Sequence, residues 1–134
     1  MGNLATVQAI YAAFGNGDVP AIIDQMAEDV EWEQWEDNLA QKAGVPSLQA
    51  RFGKAGVSEF FAVAATMGIS QFEVLNLMEG DNQVAATIVI ESDVPGGGRY
   101  RDEEIHLWSF DQNGKVKGLR HYVDTAKHIA AWGR

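Results

Sequence analysis

The chain contains no cysteine, which excludes disulfides and thiolate metal sites and leaves the redox compartment undetermined. It has no apolar run near the roughly 20 residues that span a bilayer. Its start lacks a basic flank followed by an apolar block, so neither a membrane span nor a signal peptide is expected. The expected location is the cytoplasm. Basic residues are scarce, 10 Lys and Arg against 19 Asp and Glu, for a formal net charge of -9. They are scattered rather than striped, and like-charge repulsion opposes a nucleic-acid backbone or an anionic membrane surface. The acidity itself reads as a solubility feature. Repeats, low-complexity tracts and linkers are also missing. What remains is 134 residues, 46% apolar, a usual length for one domain with a real core. Residues 1–134 therefore read as a single domain.

Periodicity divides the chain. Leu4, Val7, Ile10, Tyr11 and Phe14 recur at helical spacing, and Gly15-Asn16-Gly17-Asp18 stops that helix. A second helix runs from Val19 to Met26, with Asp18 as N-cap and Pro20 in its first turn. Val30 to Trp35 alternates as a strand, with Val30, Trp32 and Gln34 on one side and Glu31, Glu33 and Trp35 on the other. Asp37 to Gln49 is polar, holds Gly44 and Pro46, and reads as a loop able to act as a lid. A third helix spans Gly53 to Met67, with Val57, Phe60, Phe61 and Ala64 inward. Phe72 to Leu77 and Val84 to Ser92 are strands joined by the turn Glu79-Gly80-Asp81-Asn82. Asp93 to Gly98, with Pro95 and three glycines, is a mobile connection.

The last third carries the most chemistry. RYRDEEIHLWSF from Arg99 is a strand, DQNGK a tight turn, VKGLRHYVD a second strand and TAKHIAAWGR a closing helix. Alternation puts Glu104, His106 and Trp108 on one face of the first strand. If the paired strand turns His121 to that face, two imidazoles and an indole share one space. Strands following strands through short turns imply an antiparallel sheet, and helices gathered at one end can cover one face of it. The fold class is α+β.

The ordered set VQAIYAAFGNGDVPAIIDQMAEDVEW, GKAGVSEFF and WSFDQNGKVKGLRHYVDTA resembles the SnoaL-like branch of the nuclear transport factor 2-like superfamily over nearly the whole chain. The resemblance implies a cone: a curved, mostly antiparallel sheet, about three helices of the N-terminal half packed over a pocket, and a short C-terminal helix. It also implies dimers made through the outer sheet face. It does not fix an activity, because this fold hosts unrelated chemistries and pure binding modules.

Residue by residue, the relatives' catalytic sets are largely missing. Ketosteroid isomerase uses an Asp base facing a Tyr and a protonated Asp. Aligned through the Gly17-Asp18 turn, the base position falls on Gln34, which cannot abstract a proton, and the Tyr position on Ile10, with Tyr11 one step away and facing differently. The protonated-Asp position falls near His106. Limonene epoxide hydrolase needs an Arg and an Asp where this chain has only apolar residues or Thr between Thr87 and Ile90, and its second catalytic Asp falls near His121. Polyketide cyclases of the SnoaL type place an acid/base Asp on or beside the last strand, where His121 and Asp124 are both candidates.

His121 is the expected base, since imidazole titrates near neutrality. His106 is a second acid/base group or donor, and Glu104 can orient an imidazole. Asp124 precedes a helix and doubles as its N-cap. Trp32, Gln34, Phe60, Ile88, Ile90 and Trp108 are the expected pocket walls, whereas Tyr11 and Phe14 read as helix core. Arg120 faces away from His121. His128 and Trp132 share a helix face that packs on the cone. The three histidines are not in a metal-site spacing and Gly96 to Gly98 lack the context of a phosphate loop, so neither metal nor cofactor is expected.

Three readings follow. The first is a cofactor-independent acid/base isomerase, cyclase or lyase acting on a small hydrophobic cyclic or aromatic molecule. The second is a non-catalytic binder using the same pocket. The third is a dimeric interaction module in which Trp35, Thr87, Val89 and Tyr122 matter more than the histidines.

Overall fold

The computed structural model describes residues 2–134. The order of elements is α1 (Asn3–Gly15), α2 (Val19–Ile23), β1 (Met26–Trp32), α3 (Leu39–Lys42), a 3-10 turn (Pro46–Leu48), β2 (Arg51–Phe52), α4 (Gly53–Ala64), β3 (Gly68–Glu79), β4 (Gln83–Asp93), β5 (Arg99–Phe110), β6 (Val116–Tyr122) and α5 (Thr125–Ala131). The six strands form one sheet in the order β2-β1-β6-β5-β4-β3, antiparallel except where β1 runs parallel to β6. This is the expected α+β architecture.

The sheet bends because its ladders are interrupted. Register shifts fall between Ile69 and Gln71, between Val74 and Asn76, and between Ser109 and Phe110. Each extra residue bends its strand and increases the local twist. The concave face is closed by α1, α2 and α4. Val7, Ile10, Ile22, Val57 and Phe61 from these helices meet Val30, Trp32, Val84, Trp108 and Leu119 from the strands. A second cluster, with Ile88, Ile90 and Tyr100, runs along β4 and β5 toward α5. Gly98 sits where α5 crosses the start of β5, and a Cβ there would overlap the Ala131 carbonyl.

Several boundaries differ from the periodicity. The second helix stops at Ile23, and Met26 opens β1, paired with Val116 and buried. The register shift between Met26 and Glu31 leaves Glu28 and Asp29 both exposed, which hides the start of the strand from an alternation count. The same strand ends at Trp32 rather than Trp35, because Glu33 adopts φ 58°. The polar loop folds as well: Asn38 caps the single turn α3 through a bond from Gln41 N–H. β3 begins at Gly68, four residues before the expected Phe72.

Candidate active site

Every second residue of β5 points inward, and the inward set is mostly polar: Asp102, Glu104, His106 and Trp108, all buried. Burying ionisable groups is costly unless they are paired. These are paired in one continuous chain. The Trp108 indole N–H donates to Tyr11 Oη at 3.0 Å, and Tyr11 Oη lies 3.0 Å from His106 Nδ1. His106 Nε2 lies 3.1 Å from Glu104 Oε1. His128 Nε2, arriving from α5, sits 3.0 Å from Glu104 Oε2 and 2.9 Å from Asp102 Oδ2.

The direction of these bonds follows from the donor inventory. An indole N–H only donates, so Tyr11 accepts from it and gives its own proton to His106 Nδ1. His106 then carries its proton on Nε2, facing the Glu104 carboxylate. Burial, and the neighbouring His121, lower the His106 pKa against the pull of Glu104, which keeps the ring neutral. For Glu104, burial works upward, but the hydrogen bonds from His106 and His128 outweigh it and hold the carboxyl far below its ordinary range. Burial likewise opposes charge on His128, yet Glu104 and then Asp102 raise its pKa. Asp102 is raised by burial and by the Glu104 charge, against its bonds from His128 and Asp124 N–H. Burial also lifts the Tyr11 phenol well above its ordinary value.

His121 is arranged differently. It pairs with His106 across β5 and β6, and the two rings stand edge to face with centroids 4.3 Å apart. Its Nδ1 lies 2.6 Å from Glu33 Oε1, and its backbone N–H donates to the same oxygen at 2.5 Å. Glu33 is fully buried, and its other oxygen accepts from the Trp35 indole at 2.8 Å. The carboxylate therefore holds the His121 proton on Nδ1. His121 Nε2 takes no partner among the described residues, and Phe60 stacks on the ring with centroids 5.5 Å apart.

All three histidines line one cavity, with apolar walls that include Ile10, Phe14, Phe61, Phe72 and Leu119. The space left between the side chains is about 90 Å³, inside a concavity of about 700 Å³ when the open mouth is counted. Trp32, Phe60, Ile90, Glu104 and Trp108 stand in its wall. Ile88 does not: it is buried in the second cluster, facing Glu104 on β5 and Val74 on β3. Gln34 is also outside. Because Glu33 turns in, Gln34 swings to the Arg51 carbonyl (3.0 Å) and borders a separate groove of about 450 Å³ on the outer sheet face, beside Arg120 and Lys117.

Asp124 stands at the N-cap position of α5, but its carboxylate caps nothing and is exposed outside the cavity. His106 is in the wall, but both ring nitrogens are committed, which removes it as a free donor. Four site residues escaped the sequence reading. Asp102 was available from the alternation that places Glu104. Tyr11 turns its hydroxyl to the cavity instead of into the helix core, and His128 docks on two carboxylates. Alternation put Glu33 on the side opposite Trp32 and Gln34, and the structure reverses that, since its inward turn rests on a positive φ at a non-glycine residue.

Asp102, Glu104 and His128 each bring one potential ligand atom within 4.8 Å of the others. The His128 Nε2–H already fills the space between the two carboxylates, and that arrangement is a hydrogen-bonded ion pair. No helix among the described residues is long and apolar enough to cross a membrane.

Comparison with known proteins agrees with this fold. Residues 7–119 match the model of the SnoaL-like domain. No curated protein matches the chain in sequence. Among solved structures, TerC co-crystallised with polyporic acid is 25% identical, with 98% of each chain covered and a TM-score of 0.79. A nuclear transport factor 2-like protein of unknown function from Burkholderia pseudomallei is 21% identical, covering 96% of this chain and 95% of that one, with a TM-score of 0.80. A candidate polyketide cyclase from Pseudomonas putida is 19% identical over 98% of both chains, with a TM-score of 0.71. The last two establish likeness of fold. A matched model over this much of the chain shows that the protein belongs to the SnoaL-like domain family.

Proposed function

We propose that the protein binds a small cyclic or aromatic molecule in this cavity and moves a proton on it, with His121 as general base and Glu33 as its positioning carboxylate. The observation that carries the reading is the 2.6 Å contact between His121 Nδ1 and Glu33, which leaves Nε2 as a lone pair in an aromatic-walled space. The carboxylate fixes the tautomer and stabilises the imidazolium formed when Nε2 takes a proton. Isomerisation, aldol-type cyclisation and elimination can each begin with loss of a proton beside a carbonyl. The C–H bond breaks, the proton goes to Nε2 and the electron pair moves into the carbonyl system. The same nitrogen can return the proton at another atom. A relative crystallised with polyporic acid and another carrying a polyketide cyclase assignment support a small-molecule role.

The test is exchange of the α-protons of 1-tetralone in D2O, followed by NMR. The wild-type chain should accelerate it, and His121→Gln should lose ~10²–10⁴-fold, the usual contribution of a positioned base. Equal rates for the two proteins would overturn the catalytic reading. One observation favours a second reading, a binder without turnover: His106 is spent on Tyr11 and Glu104, so the base has no free acid beside it. That reading expects 1-tetralone to bind with no exchange above buffer.

A further inference from the structure

Four buried side-chain polar atoms find no partner among the described residues: Trp32 Nε1, Ser47 Oγ, His128 Nδ1 and Trp132 Nε1. Buried donors are nearly always satisfied, so each exception asks for an explanation. Trp132 packs in a separate small cluster. The other three residues line the cavity. Trp32 closes β1 and pairs with Arg51 of β2. The Arg51 guanidinium in turn donates to the Pro46 carbonyl at 3.0 Å and the Gln49 carbonyl at 3.1 Å, which pins the 3-10 turn carrying Ser47 against that strand end. The Trp32 ring lies 6.1 Å from the His121 ring, which places the general base beside it.

We propose that the Ser47 hydroxyl and the Trp32 indole N–H form the polar end of the cavity and hold a neutral oxygen acceptor, a ring carbonyl, of the ligand. The inference rests on the reading of the cavity as a ligand site. An indole N–H can only donate, so what satisfies it must be an acceptor. Ser47 is 93% buried and Trp32 99%, so bulk water does not serve them. The acceptor is neutral on grounds of charge. Glu33 and Glu104 already place carboxylates around the cavity, with Asp102 behind them, and a further anion would be repelled. A carbonyl oxygen carries only a partial charge and suits two donors at once.

The experiment compares 1-tetralone with tetralin, the same bicycle without the oxygen. In an apolar cavity without free donors the hydrocarbon binds tighter, because burying an unpaired carbonyl is costly. The proposal expects the reverse: the ketone bound about tenfold tighter by the wild-type chain, as two neutral hydrogen bonds allow. Ser47→Ala should cut that preference about fivefold and leave tetralin affinity unchanged. Trp32 is too deeply buried for substitution alone to be safe, so its part is read from the indole N–H resonance. That peak should move downfield with 1-tetralone and stay in place with tetralin.

Tetralin bound as tightly as the ketone would overturn this polar end and leave the cavity reading standing, with trapped water satisfying the two donors. So would a ketone preference unchanged in Ser47→Ala with a stationary Trp32 resonance. Binding of neither compound would overturn the cavity reading and this one together. A ketone preference without α-proton exchange would overturn the general-base reading alone.

Discussion

At the scale of single residues, Glu33 decides what His121 can do. Its left-handed backbone (φ 58°) is unusual for a non-glycine residue and costs on the order of 1 kcal/mol. In return the carboxylate reaches both His121 nitrogens that face it, the backbone N–H and Nδ1. Glu33→Gln keeps the shape but presents an amide that can donate to Nδ1 and reverse the tautomer. The expected loss in α-proton exchange is ~10²-fold or more. A merely structural Glu33 would leave the imidazole ¹⁵N spectrum alone; here the protonated nitrogen of His121 should switch from Nδ1 to Nε2. An unchanged spectrum with unchanged exchange would contradict the dyad. Little of this was legible in advance. Alternation identifies inward residues only while the strand continues, and Glu33 lies one residue past its end. The pairing of His121 with His106 was only half legible, because it depends on the register shift between Ser109 and Phe110; an unbroken count from the Asp111-to-Lys115 turn would set Arg120 opposite His106.

At the scale of elements, α5 is held to the sheet by a charge. His128 places an imidazole between Asp102 and Glu104, and Tyr100 lies against its ring with centroids 4.2 Å apart. Removing it leaves two carboxylates buried side by side, so His128→Phe should destabilise the fold by about 3 kcal/mol. The pH dependence has a definite sign. The His128 pKa is raised in the folded state, so its contribution is complete below the ordinary imidazole value of 6.5 and is lost as pH rises through the raised value. The gap in stability between wild type and His128→Phe, followed by urea unfolding, should be widest below the ordinary imidazole value and narrow as pH rises above it. A gap independent of pH would mean that packing, not charge, holds α5. Sequence placed His128 on the packed face of this helix but could not give its partner. Helical period says which side is buried and nothing of the strand residue beneath. The long strands were easier to see because their alternation survives the bulges, whereas the bulged start of β1 hid its first four residues, Met26 to Asp29, of which Met26 reads as a helix end.

At the scale of the whole molecule, the curved sheet has two faces of different character. The concave face is spent on the core and cavity. The outer face carries exposed apolar side chains, Ile105 at 43%, Tyr122 at 40% and Met78 at 46%. Trp35 packs on Tyr122 there and Arg120 lies 4.4 Å over the Trp35 ring. Such a face suits a second copy of the chain, and we expect sedimentation to report a dimer at micromolar concentration, with Ile105→Arg folded and monomeric. A wild-type monomer at high concentration would contradict that expectation. The cone itself was legible because it needs only the order of elements and one apolar face per element. The site was legible where it lies on strands, at His106, Trp108 and His121. It was hidden where a loop, a helix face or a backbone twist brings in the partner, as with Ser47, His128 and Glu33.

The most direct test of His121 as the working base is 1-tetralone exchange by the wild-type chain beside His121→Gln. The account predicts exchange well above the buffer rate by the wild-type chain and loss of that acceleration in His121→Gln. Equal exchange by the two proteins would contradict it.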